Sequence, residues 1–487
     1  MAGRSGCRER PATDRTEPSW TIVELGGIGG PVGGEAVTET TAPAQPVEAP
    51  AKPAAPTEFP PPVKKTVEWL NGMFAEWYRR NPPPMPDRFT RREFGYILWP
   101  ERPGTPPFIR HKAYDNADRF HWYLQRAGPH SVYYSTAYYR RPGEMKMLDK
   151  QWLGAELIFD LDADHLVEAE KAKAEGHEMP LADQLALVKT QFKRLLDEFL
   201  FGDFGLGESD VWITFSGGRG YHAHVVQDAL LHLGNRERRE IVDYVTGKVP
   251  VEKGTTTTDV SAFMERKVTR AKEWQGKVKT EESFKLASVN APGWPGRLSR
   301  TLFQVLDQNV FSVDRKAARK WLMAMDGIGS TSADKFLDRI ENFANNPNRL
   351  RTVPELLAEG HISHRNDPMF KIAEKALETW GIAMAKGETD EPVTADTKRL
   401  IRLPGSLHGK SGLKVVTLTR STLDGFEPLR DAIAFPIDET TRIVPRNDAT
   451  ATLGGQTVSV KKGEPVDVPL PHAVFWLARQ GGTIVVR

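Results

Sequence analysis

The stretch Ala155-Glu-Leu-Ile-Phe-Asp160-Leu-Asp162-Ala-Asp164 constrains the fold of this chain more than any other. An apolar run, Leu157 to Phe159, passes straight into carboxylates at positions i and i+2. Side chains two apart in a strand point to the same face. The pattern predicts a buried strand that ends with Asp160 and Asp162 side by side. Carboxylates that close raise one another's pKa unless a cation stands between them. Hard oxygen donors of this kind suit magnesium or manganese. The plain alternative is a strand that ends in a solvated acidic loop.

At 487 residues the chain is too long for one ordinary core, so two or three units are expected. Lys+Arg number 66 against 64 Asp+Glu, so any basic surface for a polyanion must be local. The single cysteine, Cys7, excludes disulfides and a zinc site built on several thiolates. No run approaches the ~20 apolar residues of a membrane span, and residues 1–20 lack the apolar segment of a signal peptide. A cytoplasmic protein with no membrane contact is expected.

Residues 1–60 are rich in Pro, Ala, Gly, Thr and Glu and carry few large apolar side chains. Such a tail cannot offset its ordering entropy and is expected to be disordered. From Lys64, Val67, Leu70, Phe74 and Trp77 recur at helical spacing, and Pro82-Pro-Pro84 stops the helix. Arg91 to Trp99 reads as a strand, Asp115 to Arg126 as a short helix, and the aromatic run Ser131 to Tyr139 as a second strand. After the carboxylate strand, Leu185, Val188, Phe192, Leu195, Leu196 and Phe199 mark a long helix, and Val211 to Phe215 another strand. Residues 231–385 read as a mainly helical, charged insertion that includes Glu265 to Lys285. Strand-like sequence returns at Leu400 to Leu403 and Lys414 to Leu418, and residues 451–487 read as a terminal β segment.

Two further motifs carry chemistry. Ser216-Gly217-Gly-Arg219-Gly-Tyr-His222 follows a strand; its glycines permit positive-φ geometry with N–H groups turned toward an anion. The Ser216 hydroxyl and the Arg219 guanidinium add a donor and a fork suited to phosphate. No Gly-Lys-Ser/Thr follows, so this is not a P-loop. His222 and His224 share a strand face, but with no cysteine or third histidine nearby they do not make a zinc site. The last constellation runs from Asp390 through Arg399-Leu-Ile-Arg402 to Ser406-Leu-His408-Gly-Lys410. A carboxylate followed by Arg402, His408 and Lys410 could supply one metal ligand and three triphosphate contacts.

Asp-x-Asp at a strand end, then Ser-Gly-x-Arg-Gly-x-His, then a distant Asp leading to Arg-Leu-Pro-Gly-Ser-x-His-Gly-Lys, resembles in that order the small catalytic subunit of archaeal and eukaryotic DNA primases. The resemblance spans about Arg91 to about Val416. Arg92-Glu-Phe-Gly95 and Tyr133-Tyr-Ser-Thr-Ala-Tyr138 also look like that family's approach to its first motif. It implies that Asp160, Asp162 and Asp390 are catalytic, metal-binding aspartates. It further implies that Ser216, Gly217, Arg219, His222, Arg402, His408 and Lys410 bind the nucleotide. Asp164 and Asp396 stay outside that set.

The implied fold is α+β, a mixed sheet carrying all three motifs, built from residues 61–230 and 386–450 around the helical insertion. The implied reaction is template-directed primer synthesis with two Mg2+ or Mn2+ ions. The implied partners are nucleoside triphosphates, a single-stranded DNA template and a large subunit in a heterodimer, with an archaeal-type nucleoid location. Many relatives carry a Cys/His zinc knuckle after the first motif; residues 165–205 hold no cysteine, so the knuckle is expected to be lost or replaced by the 182–200 helix, and zinc is not expected. Arg91, Arg92, Arg140 and Arg141, with Tyr138 and Tyr139, are the template-contact candidates.

Leu-Ile-Phe-Asp-Leu-Asp also resembles the start of a haloacid-dehalogenase-like phosphotransferase. That family places Thr or Val two residues after its Asp pair, where this chain has Asp164, and it lacks the glycine motif. A self-sufficient repair polymerase of the same superfamily would carry the same motifs and work without a large subunit. A non-catalytic binding subunit would have no reason to keep three mutually repelling acids.

Overall fold

Two four-stranded sheets frame the three motifs in the computed structural model. The structure describes residues 58–485, apart from 178, 252–254, 258–263, 275–276, 345–354 and 356–366. The disordered tail expected over 1–60 therefore lies almost wholly outside the described residues.

The chain enters through helix α1 (Pro61–Arg80), whose prolines sit at the first helical positions, where a missing N–H costs nothing. Leu70, Phe74, Trp77 and Tyr78 form its buried stripe. Strands β1 (Phe94–Ile97) and β2 (Phe108–Lys112) follow, then helix α2 (Ala117–Ala127). The Asn116 side chain caps α2 by accepting the Arg119 N–H, and Gly128, at φ +50°, ends it. The aromatic run breaks into β3 (Ser131–Ser135) and β4 (Ala137–Tyr139), which belong to different sheets; β4 pairs with β5 (Trp152–Ala155). The strand expected over Arg91 to Trp99 is shorter, because Arg91 closes a 3-10 turn.

The first sheet runs β13 (Leu400–Arg402), β3, β1, β2. One face packs under α1 and α2 through Phe94, Tyr96, Val132, Tyr134 and Ile401. The second sheet runs β14 (Val416–Leu418), β7 (Val211–Phe215), β8 (Gly220–Val225), β6 (Leu157–Asp162). Leu157, Phe159 and Leu161 of β6 enter its core with Leu185, Val188 and Phe192 of helix α4 (Leu181–Arg194), which follows α3 (Val167–Ala174). Phe192 stacks on Tyr221 with ring centroids 5.3 Å apart.

Three expectations need correction. The paired strands of both sheets are antiparallel, and the motifs divide between the two sheets instead of sharing one mixed sheet. The segment 265–285 is not helical. Glu265–Trp274 and Lys277–Lys285, β11 and β12, pair as a hairpin, and Val249–Val251 with Thr255–Thr257, β9 and β10, form another. Charge alternating with Val and Thr fits a pleated ribbon as well as a helix, and composition cannot separate the two. The rest of the insertion does carry helices, among them α5 (Asn235–Thr246), α6 (Gly293–Leu306), α7 (Arg315–Met323), α8 (Ser330–Ala344) and α9 (Pro368–Ala376). Finally, the terminal β segment, β15 to β19 between Thr440 and Ile484, also holds an apolar buried helix, Leu470–Leu477.

Candidate active site

Strand β6 delivers the first two acids as its alternation requires. Leu157, Phe159 and Leu161 face the core, so Asp160 and Asp162 face the other way, into a cleft of about 730 Å³. Asp160 pairs with His222 and Asp162 with Gly220 across the ladder. Strand β6 is an edge strand, and its free edge takes the third acid: the Asp390 N–H donates to the Asp160 carbonyl at 2.8 Å. Asp390 then precedes the short helix Glu391–Ala395.

These carboxylates load one another. Burial, then the charges of Asp162 and Asp390, push the Asp160 carboxyl up to about 7, with Arg399 and Arg402 opposing. Among the described residues no set of three His, Cys, Asp or Glu side chains forms a ready-made metal shell. The donor chemistry nonetheless fits a divalent cation, since magnesium is commonly held by one or two carboxylates with water and substrate phosphate completing the shell. A cation there would offset the repulsion that raises Asp160.

His222 is buried, with Nε2 3.4 Å from Asp160 Oδ1. Burial, then His224, Arg402 and Arg399, hold its pKa well below the ordinary histidine value, so the ring is neutral. His224, on the same face, is tied to Glu156 (3.2 Å) and Thr214 (3.0 Å) and stacks on Trp212, a structural role.

The glycine turn differs from its sequence reading. Ser216 Oγ accepts the N–H groups of Gly218 (3.3 Å) and Gly220 (3.2 Å), so these two amides close the turn instead of facing an anion. Gly217 has φ +74°, and a Cβ there would stand 2.7 Å from the His408 Cβ. A Cβ on Gly220 would run into the Leu161 carbonyl oxygen. The glycines therefore let the turn pack between the acid strand and the His408 loop.

His408 is fixed from that loop. The Ser411 hydroxyl donates to the Gly217 carbonyl at 2.5 Å, and its oxygen lies 3.0 Å from His408 Nδ1. With its one proton committed, Ser411 accepts from Nδ1–H, which leaves Nε2 for the cleft. Burial, then Arg402, hold the His408 pKa well down. Arg402 Nη1 donates to Ser131 Oγ at 3.2 Å, and its guanidinium stands 5.2 Å from the Tyr133 ring centroid. Lys410 is exposed at the cleft edge. Arg219 is held at the mouth by Asp164, with Asp162 at 4.0 Å.

Asp160, Asp162, Ser216, Arg219, His222, Arg402, His408 and Lys410 thus line one cleft. Asp390 and Gly217 support it through the contacts just described. The template-contact candidates fare differently. Arg91, Arg140 and Arg141 are exposed, but Arg92, Tyr138 and Tyr139 are buried. Arg92 ion-pairs with Glu156 and donates to the Ser135 carbonyl at 2.7 Å and Tyr138 Oη at 2.9 Å. The cleft also holds Arg399 and Tyr133, which lie in the quoted segments with no role assigned to them, and Arg479, Phe475 and Gln184, which no motif contains. Arg399 sits inside the third motif and is within reach of sequence reasoning; Arg479 follows an apolar helix with no flanking signal.

The family model described as DNA primase small subunit matches residues 159–420. The chain is 36% identical over 401 residues to the DNA primase small subunit PriS of Methanocella arvoryzae, covering 82% of this chain and 94% of that protein. It is 35% identical over 424 residues to the PriS of Methanosarcina acetivorans, covering 85% and 96%. It is likewise 35% identical over 416 residues to the PriS of Halorubrum lacusprofundi, covering 85% and 97%.

Proposed function

The chain belongs to the DNA primase small subunit family, and from that premise we propose that it synthesises primers on single-stranded DNA from nucleoside triphosphates, as the catalytic partner of a large subunit. The observation that carries this reading is the meeting, in one cleft, of the β6 carboxylates with Arg219, Arg402, His408 and Lys410. Acids on one side and cations on the other suit a substrate whose triphosphate is bridged to a metal.

Asp160, Asp162 and Asp390 are the residues that would hold two divalent cations, Mg2+ or Mn2+. When bound, such ions lower the cost of a 3′-oxyanion and of the departing pyrophosphate. The primer 3′-hydroxyl gives up its proton to water and bonds to the α-phosphorus of the incoming nucleotide as the bond to pyrophosphate breaks. Arg402 and Lys410 neutralise triphosphate charge, and Arg219 leaves Asp164 to join them. That exchange is cheap, because exposed ion pairs contribute only about 0–1 kcal/mol. His408 offers Nε2 to the triphosphate, taking up a proton as the anion arrives. Neutral His222 orients Asp160 without adding charge beside it.

The test is primer synthesis on a single-stranded template with labelled nucleotides and Mg2+ or Mn2+, wild type beside Asp160→Ala, with and without the large subunit. Template-dependent product that vanishes in the variant supports the reading. Full activity without the partner would favour a self-sufficient polymerase. Folded wild-type protein that makes no product under any condition would refute catalysis.

A further inference from the structure

The first sheet has an open face. Phe94, Tyr96, Val132, Tyr134 and Ile401 point into the core, so their neighbours Gly95, Ile97, Tyr133, Leu400 and Arg402 point the other way. Phe108 of edge strand β2 pairs with Ile97 and lies on that same side. It is 50% exposed, a large aromatic ring left in water. Its ring stands 5.8 Å from that of Tyr133, edge to face. Gly95 lies beneath; a Cβ there would be 2.9 Å from Leu400 Cδ1 and 3.2 Å from Phe108 Cε2. The missing side chain lets Leu400 and Phe108 close over the strand, so one apolar strip runs from the cleft wall to the sheet edge.

Beyond Phe108 the strip opens into a second hollow of about 490 Å³, walled by Val63, Val67, Trp99, Pro106 and Leu477. This hollow adjoins the cleft. Lys410 belongs to the walls of both, and Arg446, exposed, stands on the far rim. His130 separates the two, packed so closely against Gly409 that a Cβ there would run into its ring. Burial, then Arg402 and Lys410, push the His130 pKa down to about 4. The positive charge at this junction is therefore carried by Lys410 and the arginines.

An apolar hollow with aromatic and proline walls, rimmed by cations and sharing Lys410 with the cleft, has the chemistry that binds unpaired nucleotides. Bases stack on apolar faces while phosphates meet cations. Duplex DNA keeps its bases stacked inside and offers nothing to the hollow. We propose that the single-stranded template enters the cleft across Phe108, with an unpaired base in this hollow and its phosphates at Lys410 and Arg446. The proposal rests on the primase reading for the name of the strand, and on the sheet face for its path.

The test uses the full chain and a labelled oligothymidylate, with binding followed by fluorescence anisotropy in the absence of nucleotides and divalent ions. Phe108→Ala is expected to weaken binding about tenfold, the loss typical of one stacked base. Phe108→Trp should retain it, and duplex of the same length should not discriminate between the two. Arg446→Ala should weaken binding and lower the salt slope by about 0.7. Where primer extension is measured, Phe108→Ala should raise KM for template and leave kcat and KM for nucleotide unchanged. Unchanged oligonucleotide binding by Phe108→Ala overturns the proposal, as does loss of large-subunit association with strand binding intact, which would make this a protein interface. The anisotropy arm needs no catalysis. A wild type that binds as expected but never makes primers would refute the proposed function and leave this path standing.

Discussion

Removing the charge of Arg92 should destabilise what strand β6 rests on. Its guanidinium and the Glu156 carboxylate are each 1% exposed, and Glu156 immediately precedes β6. Arg92 also donates to the carbonyls of Asp87 and Ser135, both at 2.7 Å, and lies 4.3 Å from the Tyr138 ring centroid and 4.9 Å from that of Tyr134. Burial alone would raise the Glu156 pKa, yet Arg92, followed by His224, brings it down to about 2. In Arg92→Met the carboxylate stays buried with only His224 and Tyr138 as partners, and breaking such a pair costs about 3–5 kcal/mol. Replacing both members, Arg92→Met with Glu156→Leu, removes the uncompensated charge and should recover a large part of that loss. Because the Glu156 pKa falls from 4.5 to about 2 on folding, the pair's contribution is fully present above pH 4.5 and is lost as pH falls toward 2. Urea unfolding at neutral pH of wild type, both singles and the double gives the coupling directly. An Arg92→Met protein as stable as wild type but defective in oligonucleotide binding would refute this reasoning and return Arg92 to the template surface.

Three further outcomes follow from the site. Folding lifts the Asp160 pKa from 3.8 to about 7, roughly three decades at about 1.4 kcal/mol each. Its native-state advantage is therefore full below pH 3.8 and is lost as pH rises through about 7. In metal-free urea unfolding, Asp160→Asn should be more stable than wild type by up to about 4 kcal/mol near pH 8. Added Mg2+ should close that gap, and parallel pH curves for the two proteins would contradict the repulsion argument. Gly217→Ala forces a side chain into φ +74° and against the His408 Cβ. It should cost about 1–3 kcal/mol and raise KM for nucleotide, read by steady-state extension. Ser411→Ala removes the acceptor for His408 Nδ1 and for the Leu413 N–H. A loss of about 1–3 kcal/mol is expected, with His408 no longer held as its Nδ1–H tautomer, read from ring nitrogen shifts by NMR; an unchanged tautomer would show that Ser411 does not hold the ring.

What is legible in the sequence is local. The strand ending in Asp160 and Asp162 follows from alternation alone, and the α1 helix from spacing and prolines. The ordered motifs bring Arg402, His408 and Lys410 together as one set, and the cleft holds all three. What stays hidden depends on packing between distant segments. Arg92 and Tyr138 look like surface residues for a polyanion because nothing nearby in sequence reveals that Glu156 waits beneath them. The break between β3 and β4 is invisible, since both halves of Ser131 to Tyr139 are equally β-prone and only their partners differ. The 265–285 hairpin escapes a composition argument because its charges serve a helix or a ribbon alike. Arg479 has no sequence signal at all: it reaches the cleft from the turn after helix Leu470–Leu477, which packs against α1 and the terminal strands.

The division of motifs between two sheets explains how a large insertion is tolerated. Residues 386–403 act as a strap between the sheets. At one end the Asp390 N–H holds the Asp160 carbonyl of the second sheet, and at the other β13 zips onto β3 of the first, with Arg402 opposite Tyr133. Within one short segment the chain hands an acid to one wall of the cleft and a cation to the other. Register makes this alignment functional: a one-residue slip of β13 would turn Arg402 into the core and Ile401 into the cleft. Ile401, 5% exposed in the core, opposes that slip by the apolar surface it would have to expose. The spacing of acid and cation is thus set by the strap and its two anchors, not by the length of chain between β8 and Asp390. The segment between those points can carry hairpins, helices or both without disturbing the geometry of the cleft.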